Sequence, residues 1–391
     1  MSRENLESAY SKLDHYVKSE NFTGYDPYDT LTSSIPFKKW GKWPPILAIQ
    51  FQKRNPWSFR KILGIKKEVN PKGIGLFLHS YSLEYQRTKD EKLRPLMDEL
   101  FQLLLSLRTK DYDEYCWGYN FDWASPVKFL KAYSPTIVAS VFIAKGIYEY
   151  YLATNSEKAK SVLFSVGDFI LNQLEVTEDE TGICYSYSVE MVDCCYNASM
   201  LGCEHFARLY HLSGDVNYKE MATRSASFVV NRQKENGSWN YSINYSTQEE
   251  RNQIDFHQGY ILDSLHYHRI ICNDESIELL AAIKKGLKFY KSHQFTADGR
   301  ALWRLPKKWP ADIHNQAQGI ITFSRLKEYS GEYLEFAKTV ANWTVNNMQD
   351  LNTGHMIYKK YPSHKVKTPM MRWGQGWMHL ALNELKTALD V

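Results

Sequence analysis

One unit recurs along this chain, and that recurrence constrains the fold more than any other feature. The unit is a loop with glycine and aromatic residues, an apolar helix, a short polar turn and an amphipathic helix. The apolar helices are predicted to start near Lys72, Ser134, Cys195, Asp255, Asp312 and Arg372. Their spacing, roughly 57–62 residues, suits a helical hairpin plus a long loop. Stretches such as Thr136 to Ala144 and Ala317 to Phe323 are apolar almost all round, which marks buried helices. Their partners, Glu157 to Leu174, Asn217 to Asn231 and Ser276 to Ser292, keep a charged face. The joins Thr154-Asn155-Ser156, Ser213-Gly214-Asp215 and Ser330-Gly331-Glu332 are short, so inner and outer helices run antiparallel.

The series closes on itself. The last inner helix, Trp373 to Leu389, has no outer helix after it, and the first helix, Asn5 to Val17, is amphipathic with no inner helix before it. Pairing them gives six hairpins in a ring: an all-α (α/α)6 barrel, or six-hairpin toroid, as a single domain over residues 1–391. An open solenoid would need polar caps at both ends, and neither terminal helix reads as one. The length supports a sizeable core, and barrels often exceed the usual domain length.

Short turns then lie on one rim and long loops on the other, where a rigid scaffold usually carries function. The long loops hold Gly24-Tyr25, Gly118-Tyr119-Asn120-Phe121-Asp122-Trp123, Gly182 with Tyr185, Gly237-Ser238-Trp239, Gly299 with Trp303, and Gly354 with Tyr358. With aromatics at 14% of the chain, these loops predict a ligand cleft walled by stacking faces. A net charge of +4 from 48 basic and 44 acidic residues makes no case for nucleic acid. No apolar run is long enough for a transmembrane segment, and the first residues lack the apolar core of an export signal. Cys116, Cys184, Cys194, Cys195, Cys203 and Cys272 fit neither a disulfide framework nor paired zinc knuckles. The expectation is a cytoplasmic protein with reduced thiols, its oligomeric state open.

Two adjacent repeats carry the same triplet in the same register, Asp255-Phe256-His257 and Asp312-Ile313-His314. Carboxylates at neighbouring helix starts would face each other across the mouth, as an acid/base pair on a glycosidic bond requires. Asp is also a favoured N-cap. A histidine in the first turn, disfavoured as a cation by the helix dipole, suits a neutral base. Asp255, Asp312, His257 and His314 are therefore the candidate catalytic residues. Tyr25, Tyr119, Asp122, Trp123, Trp239, Tyr260, Trp303, Arg372, Trp373 and Gln375 form the candidate substrate-binding set. Asp26 and Asp29 read as turn formers beside Pro27, and the Lys-rich stretch Lys61 to Lys72 as a solvated loop. Phosphate-binding glycine motifs, a serine-hydrolase elbow and a His-Glu-x-x-His zinc motif are missing from the sequence.

The loops Gly24-Tyr25-Asp26-Pro27-Tyr28-Asp29, Trp117-Gly118-Tyr119-Asn120-Phe121-Asp122-Trp123, Asp255-Phe256-His257-Gln258-Gly259-Tyr260 and Asp312-Ile313-His314-Asn315-Gln316-Ala317-Gln318 resemble a bacterial family found with polysaccharide-biosynthesis proteins. Its members often carry the label delta-aminolevulinic acid dehydratase, although nothing in this sequence resembles that zinc α/β-barrel enzyme. The resemblance spans nearly the whole chain. It implies an (α/α)6 toroid that makes or trims an exopolysaccharide or surface glycan. A second, narrower resemblance is to terpene cyclases and protein prenyltransferase β-subunits, through Gln233-x-x-x-Gly237-Ser238-Trp239 and Val192-Asp193-Cys194-Cys195-Tyr196 with His257. It implies a zinc ion held by Asp193, Cys195 and His257.

The leading expectation is a carbohydrate-active enzyme with a glycan substrate and no cofactor or metal. In a hydrolase, Asp255 and Asp312 would serve as acid and base. In a uronate lyase or epimerase, His257 or His314 with Tyr260 would move a proton at C5 while Arg372 paired with the carboxylate. The alternatives are a zinc-dependent prenyltransferase-like toroid and a non-catalytic glycan-binding toroid.

Overall fold

The computed structural model describes residues 1–125 and 129–390 of the 391. Six inner helices follow one another: α3 (Pro71–Thr88), α5 (Ile137–Thr154), α7 (Tyr196–Ser213), α9 (His257–Cys272), α11 (Ile313–Arg325) and α13 (Trp377–Ala388). Each packs on the next, and α13 packs back on α3, so the inner ring is closed. Around it stand α4 (Leu93–Ser106), α6 (Glu157–Gln173), α8 (Val216–Val230), α10 (Ile277–Gln294), α12 (Gly331–Met348) and, from the other end of the chain, α1 (Arg3–Ser19), which lies against α13. The (α/α)6 barrel expected from the repeat is the fold observed.

Local sequence explains the turns. α3, α5, α7 and α9 each end on a left-handed residue, Lys89, Asn155, Gly214 and Asn273, whose N–H bonds back four residues. Ser156, Asp215 and Ser330 then cap the outer helices α6, α8 and α12. Inner helices are buried nearly throughout, whereas outer ones bury one stripe, such as Leu6, Ala9, Tyr10, Leu13 and Val17 of α1.

The glycine–aromatic loops prove to be a scaffolding device. A polar residue near the start of an inner helix clamps the backbone of the loop before it. Gln258 brackets Trp239, accepting from its N–H and donating to its carbonyl, both at 2.8 Å, and Gln375 does the same to Met356 at 2.7 and 2.8 Å. Ser140 and Ser199 accept from the N–H groups of Trp117 and Tyr185, and Gln316 from that of Ala301. Gln233 of the prenyltransferase-like motif donates to the carbonyls of Gly237 and Ala282. Gly354 shows why glycine is needed: its φ is +78° and an added Cβ would meet the Lys12 carbonyl oxygen at 2.5 Å.

Two features are additional to the predicted elements. The loop before α3 contains a further helix, α2 (Trp43–Arg54), over a small core of Leu31, Ile46, Ile49 and Ala124. Short strands join the other loops into rim sheets, in which Ala311–Asp312 pairs antiparallel with Lys359–Lys360. No described helix is long and apolar enough to cross a membrane.

Candidate active site

The long-loop rim opens into a cavity of about 1050 Å3. One register recurs in its wall. In four inner helices the residue two positions after the N-cap lines the cavity: Lys72 after Asn70, Val138 after Thr136, Asn197 after Cys195 and His314 after Asp312; His257, first residue of α9, follows Asp255 by two, and Arg372 follows Met370 by two. The last comes from a π-helical turn, Met371–Gly376, where a plain helix start was expected. Under the cavity Phe142, Tyr260 and Trp377 pack ring on ring at centroid distances of 5.0 to 5.6 Å. Deeper in the barrel lies a buried ionic layer containing Lys145, Glu204, Arg208, Asp263, Arg325 and Glu384.

Both triplets start their helices as the sequence suggests. Asp255 Oδ1 accepts from the His257 N–H at 3.3 Å, and Asp312 Oδ1 from that of His314 at 3.0 Å. The side chains then diverge. His257 turns back so that Nδ1 lies 2.5 Å from Asp255 Oδ1. Donation of an Nδ1–H to that carboxylate leaves Nε2 as the other ring nitrogen of a residue that lines the cavity. Burial raises the Asp255 carboxyl, but His257 and Arg304 outweigh it and leave it below its ordinary value. Its second oxygen accepts from Gln253 Nε2 at 2.9 Å.

His314 instead meets the Tyr260 hydroxyl, with its Nε2 at 2.6 Å. Its ring stacks on Phe256 and Trp377 at 4.3 and 4.5 Å. Burial, then the charges of Lys72 and Arg372, hold its pKa far below the usual imidazole value, while burial keeps Tyr260 protonated far above the usual phenol range. The pair is thus a tyrosine O–H donating to a neutral imidazole. Phe256 also stacks on His257 at 4.1 Å, so one phenyl ring is shared by both histidines.

Asp312 is tied up differently. Oδ1 also accepts from Trp373 Nε1 at 2.8 Å, and Oδ2 lies 3.4 Å from Nζ of its cross-strand partner Lys359. Tyr119, Trp123, Trp303 and Trp373 line the cavity with Tyr28, which meets Trp123 and Trp373 edge-on.

Other sequence candidates fall elsewhere. Trp239 is fully buried and donates to the Val229 carbonyl; it is wall, not cleft. Gln375 is spent on Met356. Asp122 faces away, accepting from the Ala132 N–H and Lys38. Tyr25 borders a separate shallow depression and packs near Arg60. Arg372 lines the cavity but forms a two-point pair with Asp26 at 2.7 and 2.8 Å, so it is not free for a substrate carboxylate as expected.

Lys72 corrects the reading of Lys61 to Lys72 as solvated. It is 3% exposed on α3, lines the cavity, has no carboxylate partner among the described residues, and sits 4.0 Å from the Phe142 ring centre. For a zinc site, no three His, Cys, Asp or Glu side chains among the described residues converge. Asp193 accepts from the Tyr187 N–H, Cys195 from Asn197, and His257 engages Asp255.

No protein-family model matches the chain, and no curated protein matches it by sequence. Solved structures do. A cellobiose 2-epimerase from Bacillus thermoamylovorans B4167 superposes with a TM-score of 0.67 at 13% identity, over 84% of this chain and 90% of that one. A D-mannose isomerase gives 0.68 at 12% identity over 99% and 98%. An unsaturated glucuronyl hydrolase specific for heparin gives 0.64 at 11% identity over 99% and 97%. At such identities what this chain shares with them is the fold.

Proposed function

We propose that the chain is a carbohydrate-active enzyme that moves a proton at a sugar carbon next to a carbonyl or carboxylate, as an epimerase, isomerase or lyase does. The observation that carries this reading is the Asp255–His257 pair beside the Tyr260–His314 pair on one cavity wall. His257 Nε2 takes the proton, and the C–H electron pair moves into the adjacent C=O. In an epimerase, Tyr260 O–H then protonates the carbon and solvent carries the proton taken by His257 back to the phenolate; in a lyase, the same electrons expel the leaving group at the next carbon, whose oxygen takes the Tyr260 proton. Asp255 fixes the His257 tautomer and balances its charge, as the third member of a triad does. Hydrolysis by the two carboxylates is less favoured, because both are buried with their oxygens engaged.

An acidic sugar suits the cavity. Among the described residues, eight Lys and Arg side chains line it against three carboxylates, and Lys72, whose ammonium pKa burial holds well below its ordinary value, has no carboxylate partner. A uronate carboxylate beside Lys72 would supply one and would delocalise the charge formed at C5. The aromatic wall is a stacking surface for sugar rings. A role with surface or exopolysaccharides rests on the loop resemblance, and the neighbours' substrates agree with a glycan.

The test is incubation with neutral and acidic oligosaccharides in D2O, followed by mass spectrometry. Carbon-bound deuterium or an unsaturated end is expected, lost by at least about 100-fold in His257→Ala. Lys72→Met should weaken acidic substrates by about tenfold or more and leave neutral ones unchanged. A chelator should leave turnover intact. New reducing ends without carbon-bound deuterium would return the site to the two aspartates, and chelator-sensitive activity would revive the zinc alternative.

A further inference from the structure

Residues 30–67, the loop that carries α2, contain nine Lys and Arg residues and no Asp or Glu. The same stretch exposes Trp40, Trp43, Leu47, Phe51, Trp57 and Ile62, each between 56 and 81%. Trp43, Leu47 and Phe51 recur every four residues, so they form a stripe along one face of α2. Its opposite face, with Ile46 and Ile49, is buried on the small core beneath. A helix apolar on both faces ordinarily has both covered, yet among the described residues nothing covers the outer stripe. The segment holds together as one unit, because Phe51 stacks on Phe59 and Ser34 bonds to Leu63. Lys39, Lys42, Arg54, Lys61 and Lys66 are exposed and have no carboxylate partner among the described residues. Lys53 and Arg54 of the same helix line the cavity, so the patch is the lip of the active-site cleft.

We infer that this lip docks on an anionic lipid surface, with the apolar stripe sunk at the headgroup boundary and the lysines among acidic headgroups. Tryptophans with aliphatic residues on a basic helix are what such a boundary selects, and each basic residue near an anionic leaflet adds attraction. A second copy of this chain seated face to face would set these five unpaired cations against five. An acidic glycan would satisfy the lysines but gain nothing from Leu47 or Ile62. Seated this way, the cleft mouth lies at the membrane surface, within reach of a glycan carried there on a lipid.

The experiment is co-sedimentation of the full chain with vesicles of phosphatidylcholine alone, or of equal parts phosphatidylcholine and phosphatidylglycerol. The protein should partition onto the acidic vesicles only, less so as salt rises, with a blue shift in tryptophan emission. Trp43→Ser/Leu47→Gln/Phe51→Gln and, separately, Lys39→Glu/Lys42→Glu/Lys61→Glu/Lys66→Glu should each lower partitioning about tenfold or more, while melting with the wild type. Should either variant fail to fold, Leu47→Gln and Lys61→Glu singly must still show the trend. The proposal is overturned if the wild type ignores acidic vesicles or if the variants partition equally. It is also overturned if the patch mediates only binding to soluble polyuronate, or only self-association in gel filtration.

Discussion

Asp255 and Asp312 occupy one register on neighbouring helices, yet their side chains have different tasks. Asp255 holds the Nδ1 of a cavity histidine, whereas Asp312 closes a helix end, an indole N–H and a lysine. The substitution Asp→Asn separates them. In Asp255→Asn the carboxylate that selects the His257 tautomer is gone, and turnover should fall by about 100-fold or more. Asp312→Asn keeps a good N-cap; it should melt within about 1 kcal/mol of wild type and keep turnover within about tenfold. Equal loss in both would make the two carboxylates the acid and base. A pH series adds a second reading. The folded Asp255 carboxyl titrates below its ordinary value of 3.8, so the unfolded chain binds its proton first as pH falls. Its stabilisation is present above about pH 4 and is lost as pH drops through the folded value. The melting difference between wild type and Asp255→Asn should therefore be largest near neutrality and shrink in acid. At this scale the sequence was partly legible. Repetition exposed the two Asp-x-His triplets, but residue type alone could not distinguish Lys72 from the solvated lysines before it. Nor could it separate Trp239, pinned in the wall, from Trp303 in the cleft, because both follow a loop glycine.

Helices and their starts were the most legible level, because apolar runs near a 60-residue period leave little freedom. The triplet seen twice has counterparts on the cavity wall in the other four repeats, Lys72, Val138, Asn197 and Arg372. Chemically unlike residues hid the correspondence. α2 lies outside the repeat, and its two prolines fall in its first turn, where they start the helix rather than break it. The short rim strands carry two to four residues each, too few for an alternation to register. Between elements, the meeting of buried charges inside the barrel was not legible, because Asp263, Arg325 and Glu384 each stand on a different inner helix. There Asp263 on α9 faces Arg325 on α11 at 3.3 Å, accepts from Gln318 at 2.9 Å, and keeps one buried oxygen without a partner. Burial, only partly offset by Arg325 and Lys145, pushes its carboxyl up to about 6. The folded state then holds this proton more tightly than the unfolded chain. Its contribution is fully present below about pH 4 and is lost as pH rises through about 6. Asp263→Asn, which resembles the protonated form, should raise stability at pH 8 by roughly 1–3 kcal/mol, with the gain fading toward pH 4. Chemical denaturation at the two pH values checks this; destabilisation at pH 8 would mean that the Arg325 pair outweighs the burial.

For the whole molecule the decisive question is how the ring is held shut, since its first outer helix and last inner helix are separated by nearly the full chain. α1 seals this joint in several ways at once. Leu6, Ala9, Tyr10, Leu13 and Val17 are buried. The Tyr10 ring packs on His379 of α13 at 4.7 Å, and the Tyr10 hydroxyl reaches Glu84 of α3 at 2.5 Å. Asp14 accepts from Tyr81 of α3 at 2.6 Å and lies 3.1 Å from His379 Nε2, and Glu7 pairs with Lys386 at 2.9 Å. At about 1.5–3 kcal/mol for each large apolar side chain removed from water, the apolar contacts alone are on the order of 10 kcal/mol, comparable with the whole stability of an ordinary domain. Deleting the residues before Phe22 would uncover the outward faces of α3 and α13 where they meet, and would leave His379 buried without its carboxylate and Lys386 with Glu84 alone. Such a chain should be insoluble or should melt without cooperativity. Supplying residues 1–21 as a separate peptide should restore a cooperative transition, because the lost contacts lie across a surface and depend little on chain connectivity. A truncated protein that stays soluble and melts in one sharp step would mean that the inner ring closes by α13 packing on α3 alone.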